Sequence, residues 1–245
     1  MGFGIIPHFN SQFIMINSNY LNSIEWKFSD NLIKYDQALS FMEDRVANII
    51  NQKQQQLIWI LEHYPVYTAG VSAKDSDLLD AKNIDIFKTN RGGKYTYHCP
   101  AMKIIYVMLD LKKFFHPKKP DVSLFVKFLE TWIIATLDNY NIKGQLKNNR
   151  VGIWVDDNQT EKKIAALGIK LKKWVSYHGI AINIAPDLEG FKKIIPCGIS
   201  EYGVTSMKDL KIINNYDNNF SKNFDKILQK KFFDIYKIFN ARFNI

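Results

Sequence analysis

Apolar positions along this chain follow two rhythms. Tyr35, Ala38, Leu39, Met42, Val46, Ile49 and Ile50 recur three and four apart. That is one face of a helix, and it predicts an amphipathic helix over 31–51 with Ser29 or Asp30 as N-cap. Val122, Phe125, Val126, Leu129, Trp132, Ile133 and Leu137 predict a second over about 122–140, capped by Asp121 or Ser123. Phe224, Ile227, Leu228, Phe232, Ile235 and Phe239 predict a third over about 219–239, its other face rich in lysine. Shorter runs at 24–28, 57–63, 84–89, 104–109 and 151–155 read as strands, as do two runs near 163–171 and 174–184. Asp187 to Phe191 reads as a helical turn, and Thr205 or Ser206 as the cap of a short helix. Residues 1–20 carry no clear period. Strands and helices alternate loosely, with hairpin-like pairs in the middle. The expected class is therefore α/β of the α+β type, a mixed β-sheet flanked by helices.

Composition narrows the function. In 245 residues, 47% are hydrophobic and 14% aromatic, enough for a packed core and too apolar for a disordered chain. The net charge of +9 suits an acidic partner, either a protein or a nucleic acid. Two cysteines, Cys99 and Cys197, do not make a disulfide framework, so a reducing compartment is expected. The N-terminus lacks a basic leader with a long apolar run, which leads us to expect a cytoplasmic protein that does not enter a membrane.

The candidate chemistry is sparse. Cys197 stands between Pro196 and Gly198, a loop that can present a thiol. Most free cysteines are nevertheless buried and inert. A thiol becomes a strong nucleophile as the thiolate, which a nearby cation favours. Lys163 opens an apolar run of small residues and could be that cation. The alternative is a lysine at a strand end with its ammonium in water. Arg91, Gly92 and Gly93 form a tight turn, after which strand alternation puts Thr96 and His98 on one face and Tyr95 and Tyr97 on the other. His98 and His178 can each donate a hydrogen bond or sit as structural histidines. The histidines are scattered and the cysteines far apart, so no metal site is expected. No dinucleotide or P-loop glycine motif is present.

Several short blocks, in this order and spacing, resemble the lipoyl(octanoyl) transferase family. They are Leu61-Glu62-His63 with Pro65 to Thr68 and Gly70; Arg91-Gly92-Gly93 with Thr96, His98 and Pro100; Gly152-Ile153-Trp154-Val155; Lys163-Ile164-Ala165-Ala166-Leu167-Gly168; His178-Gly179 with Ala181 and Asn183; Pro196-Cys197-Gly198; and Val204-Thr205-Ser206. The resemblance covers about 57–207. It implies the fold shared by biotin and lipoate protein ligases, with Cys197 as nucleophile and Lys163 as its acid–base partner. Substrate-binding stretches would be Arg91, Gly92, Gly93, Lys94, Tyr95, Thr96, Tyr97 and His98; Ala166, Leu167 and Gly168; and Gly179, Ile180 and Ala181. His178 and Asn183 would support them.

The implied reaction moves an octanoyl or lipoyl group from the phosphopantetheine arm of an acidic acyl carrier protein, through a cysteine thioester, to a lysine of a lipoyl domain. Acceptors would be the lipoyl domains of 2-oxoacid dehydrogenases and the glycine cleavage carrier protein. No cofactor and no nucleic acid are implied. The corresponding division is an irregular lead-in over 1–20, a catalytic domain over 21–213, and a basic C-terminal helix over 214–245 packed on the same domain. One departure stands out. After His98 the family typically reads Gly-Pro-Gly-Gln, and this chain reads Cys99-Pro100-Ala101-Met102. A turn that needs positive φ at 99 or 101 would then be strained. The other readings left open are an ATP-dependent lipoate or biotin ligase of the same fold, a catalytically impaired carrier-binding protein, and a basic nucleic-acid-binding protein.

Overall fold

The computed structural model describes residues 18–80, 83–148, 150–157, 160–195 and 202–245. In chain order its elements are α1 (Ser18–Asn22), β1 (Ile24–Ile33), α2 (Tyr35–Ile50), β2 (Gln56–His63), β3 (Val66–Ala69), β4 (Asp85–Lys88), β5 (Tyr95–His98), β6 (Met102–Met108), α3 (Leu111–Phe114), α4 (Val122–Asp138), β7 (Gln145–Lys147), β8 (Arg150–Asp157), β9 (Thr160–Lys172), β10 (Val175–Asn183), β11 (Gly203–Val204) and α5 (Asn218–Phe243). Single 3-10 turns lie at Asp75–Asp77 and Leu188–Lys193.

The main sheet runs β1-β2-β6-β10-β9-β8-β7, with β11 alongside β9. Only the β1–β2 and β9–β11 pairs are parallel, so the sheet is mixed as expected. A small sheet, β4-β3-β5, stands apart. On one face of the main sheet α4 and α5 bury Phe128, Trp132, Phe232 and Phe239 against Ile105, Val107, Ile164 and Ile182. On the other face α2 and the small sheet cover Trp59, Leu61, Tyr106 and Ala181. No helix among the described residues is long and apolar enough to cross a membrane.

Capping explains most helix starts. Asp121 accepts Leu124 N–H at the head of α4, Asp217 accepts Phe220 N–H at the head of α5, and Asp187 accepts Glu189 N–H before the 3-10 turn. The first long helix differs from expectation. It starts at Tyr35 because β1 runs on to Ile33 and takes Ser29 and Asp30 into the strand. There Ser29 Oγ accepts the indole N–H of Trp59 at 2.9 Å. Residues near Thr205 and Ser206 form turns rather than a short helix, with Ser206 Oγ accepting Asp209 N–H at 3.0 Å. The irregular lead-in expected over 1–20 lies mostly outside the described residues, and Ser18–Asn22 is helical.

Candidate active site

The site is made by a change of register on β9. Its first residues pair with β8, Asp157 to Thr160 and Trp154 to Lys163. The next pair is Ile153 to Ala165, so Ile164 is an extra residue, a β-bulge directly after Lys163. In a regular strand Lys163 and Ala166 would face opposite ways. The bulge turns Ile164 and Ala165 into the aromatic core and brings Lys163 and Ala166 to line the same cavity. From Ala165 onward β9 pairs with β10.

That cavity, about 240 Å³, lies between β9 and β10 on one side and β5 with the 91–94 loop on the other. Lys163, Arg91, Gly92, Gly93, Lys94, Tyr95, Thr96, His98, Ala166, Leu167, Gly168, His178, Gly179, Ile180 and Ala181 line it. Three separate stretches of chain and one lysine thus meet around one space. A small extension is lined by Thr96, Met102, Lys163 and Asn183. Asn183 is held there by donating its side-chain N–H to Thr205 O at 2.9 Å. Tyr97 points away and packs on Tyr67 and Phe191. Tyr35, Ile104, Tyr106, Arg150 and Val151 also line the cavity and were not anticipated. Ile104 and Tyr106 stand two apart on β6, a period-2 signal that marks a shared face without saying what it faces.

Cys197 lies outside the described residues. The chain before it is held where Ile195 N–H donates to Asp77 O at 2.7 Å. The chain after it is held where Gly203 and Val204 pair with Lys162 and Lys163, and Thr205 N–H donates to Lys163 O at 3.0 Å. The other cysteine, Cys99, lies within the described residues. It is 2% exposed, and burial pushes it up to about 11, so it stays protonated and inert.

Arg91 is buried and spends its donors on its own scaffold. It bonds Thr68 Oγ1 and O at 2.7 and 2.8 Å, Lys94 O at 2.9 Å and Gly92 O at 2.9 Å. Gly92 N–H donates to Ile169 O at 3.2 Å, so the loop is tied to β9 where β8 has ended. Gly179 allows close strand packing, since a Cβ there would stand 2.0 Å from Ile105 O. His178, just before it, has φ +59, a conformation that costs a non-glycine residue roughly 1–2 kcal/mol. That turn puts its ring beside the cavity.

Three histidines gather at this end. His63 bridges Ile33 O and the Tyr106 hydroxyl, both at 2.7 Å, and its ring lies 5.9 Å from that of His98. Burial pulls His63 down to about 4 and His178 to about 3, and holds His98 well below the usual range, with the Arg91 charge adding to the last two. All three are neutral at pH 7. The cavity therefore presents two neutral imidazoles, small apolar surfaces and tyrosine rings, with Arg91, Lys94 and Arg150 at its wall and Lys163 as the lysine that β9 contributes to it.

The departure after His98 has a structural answer. Ala101 does take positive φ, +63. Its N–H donates to Glu62 Oε2 at 2.6 Å, and Glu62 also accepts the Tyr216 hydroxyl. Lys103 joins the cluster, 3.1 Å from Asp225 of α5 and 2.6 Å from Ser221 Oγ. The strained turn is thus pinned by a buried polar network. It lies behind the main cavity, and only Met102 reaches the small extension.

A sequence profile of the lipoyl protein ligase A/B catalytic domain matches residues 34–226. The chain belongs to this family. An octanoyltransferase of Wolbachia sp. subsp. Brugia malayi is 49% identical over 207 residues, covering 83% of this chain and 99% of the relative. One from Ehrlichia ruminantium is 46% identical over 209 residues, covering 85% and 97%. Relatives so close, matched along nearly their whole length, make the chain a transferase rather than a binding module. Among solved structures, a bipartite lipoate protein ligase from Thermoplasma acidophilum superposes with TM-score 0.62 at 12% identity, covering 86% of this chain and 84% of that one. A lipoate-protein ligase A bound with ATP gives 0.59 at 14%, covering 88% and 94%. At such identities the likeness concerns the fold, and the fold is that of the lipoate protein ligases.

Proposed function

We propose that this lipoyl protein ligase A/B family member transfers an octanoyl group from an acidic acyl carrier protein to the lysine amine of a lipoyl domain, through a thioester on Cys197. The observation that carries the reading is the convergence of Lys163 with the 91–98, 166–168 and 179–181 stretches around one cavity. Relatives at 46–49% identity that are named octanoyltransferases support the group transferred. A linear acyl chain suits walls made by Ala166, Gly168, Gly179 and Ala181, and each methylene buried there is worth about 0.8 kcal/mol.

In this reading Lys163 favours the Cys197 thiolate, which attacks the carrier thioester. The C–S bond to the carrier breaks, and the carrier thiol leaves with a proton supplied by Lys163. The acceptor amine then attacks the acyl-enzyme. Lys163 takes the amine proton, an amide forms and Cys197 is released. Backbone N–H groups near Gly168 and Gly179 would receive the developing oxyanion. The reading needs neither ATP nor a metal. The net charge of +9 would speed encounter with an acidic carrier more than it would tighten binding.

Intact-protein mass after mixing with octanoyl-acyl carrier protein tests this. Wild type is expected to gain one octanoyl group and lose it on addition of a lipoyl domain. Cys197→Ala should gain none, and Lys163→Ala should be acylated about 10²–10⁴-fold more slowly. Folded, reduced wild type that gains no adduct would overturn the mechanism.

A further inference from the structure

Lys163 is 6% exposed, and among the described residues no carboxylate pairs with its Nζ. At 6% exposure the Lys163 side chain has given up much of its hydration, so whatever else steadies its charge matters. The structure supplies an aromatic face. Nζ stands 4.7 Å from the ring centroid of Trp154, the residue paired with Lys163 across the β8–β9 ladder just before the bulge. Indole is the strongest of the side-chain π faces for a cation.

The ring is itself fixed. Trp154 is 2% exposed, its N–H donates to Arg150 O at 3.2 Å, and Tyr202 packs edge-on at 5.6 Å. The Arg150 guanidinium lies 4.7 Å from the same ring and 4.0 Å from Tyr202, paired with Glu161. Gly152, two residues earlier on β8, has φ +114. A Cβ there would lie 3.3 and 3.4 Å from the ε and δ carbons of Lys163. The lysine stem therefore crosses Gly152, and its head ends at Trp154.

We propose that Trp154 is a positioning residue for the reaction: its indole face seats the Lys163 ammonium at the cavity by a cation–π contact, a role that rests on the transferase reading above. A carboxylate in that place would accept the ammonium N–H groups and tie them up. An aromatic face steadies the charge and leaves those N–H groups for the Cys197 thiolate and for the carrier thiolate that Lys163 protonates as it leaves. Simple core packing of a buried tryptophan is the competing account, and it makes no demand on ring electrons.

The test keeps shape and varies the ring. Full-length protein carries mono-, di- and tetrafluorotryptophan at position 154, beside Trp154→Phe and Trp154→Leu. Single-turnover acylation by octanoyl-acyl carrier protein and steady-state transfer to a lipoyl domain are measured. In protein with ¹³C-labelled lysine, the Lys163 ε-methylene resonance is assigned by its loss in Lys163→Arg. Acylation should fall stepwise with fluorination, reaching about 10-fold, and about 30-fold in Trp154→Leu, with KM unchanged and partial recovery in Trp154→Phe. The ε-methylene should carry an upfield ring-current shift in wild type that Trp154→Leu abolishes. Rates flat across the fluorinated series, or an unshifted resonance in wild type, would overturn the proposal; the fluorinated proteins decide it if Trp154→Leu does not fold. Wild type that transfers no octanoyl group defeats the transferase reading itself, and the positioning role falls with it.

Discussion

The two faces of the main sheet share strands and differ in what those strands are asked to do. On the α4–α5 face, Phe114, Phe128, Trp132, Phe232 and Tyr236 meet edge to face at centroid distances of 5.0–6.3 Å, and the Trp132 N–H is satisfied by Leu228 O at 2.8 Å. On the opposite face, Ala166 and Gly168 of β9 and Gly179 and Ala181 of β10 withhold side-chain volume, and a cavity remains. The same β10 sends Ile182 to the first face and Ala181 to the second. Period-2 alternation lets one strand be core on one side and site on the other. Function here is built by leaving atoms out where stability is supplied from behind.

Substitutions can break that division. Trp132→Ala should cost about 3–5 kcal/mol in urea unfolding, because it opens a hole in a packed aromatic layer. Transfer per folded molecule should not change, and a loss of turnover in the folded fraction would show that the faces are not separable. Acid should strain the cavity face selectively, since it holds His63, His98 and His178 while no histidine is among the buried residues of the aromatic core. These rings are neutral when folded and titrate near the ordinary value of 6.5 when unfolded. Below 6.5 the unfolded chain binds more protons, so stability should fall with pH down to about 4 for His63 and about 3 for His178. Each contributes up to about 1.4 kcal/mol per pH unit, and His178→Asn should flatten the melting-temperature profile in that window.

Ala166→Val changes the cavity face by two carbons. Octanoyl transfer should drop about 4- to 15-fold in kcat/KM, with shorter acyl chains less affected, at the value of one to two lost methylene contacts. An equal loss for hexanoyl and octanoyl donors would place residue 166 away from the chain. The smallest effect expected is at Ala101, in the turn before β6 and outside the cavity lining. Ala101→Gly should relieve the positive φ and raise stability by about 0.5–1 kcal/mol, read as a shift in denaturation midpoint with transfer unchanged.

How the sequence could be read depended on the range of the interaction. Helices α4 and α5 were legible from apolar spacing, and the start of α4 also from Asp121, because amphipathicity and capping act within a few residues. The blocks that line the cavity were legible as a resemblance, and nearly all of them converge. Tyr97 does not: it packs on Tyr67 and Phe191, while Tyr95, two residues earlier at the mouth of the 91–94 loop, still lines the cavity.

By itself the sequence determined the mixed α/β class, the apolar stripes, the small residues on β9 and β10, and the candidacy of Lys163 and Cys197 as a lysine–cysteine pair. Only the tertiary structure decided that β1 outruns its cap signals, that Tyr35 and Tyr106 reach the cavity, that Glu62 pins the Ala101 turn, and that the bulge at Ile164 sets Lys163 on the cavity face with Trp154 beside it. The physical reason is register. A one-residue slip between strands reverses every side chain, and which residue is left over as a bulge depends on partners far away along the chain.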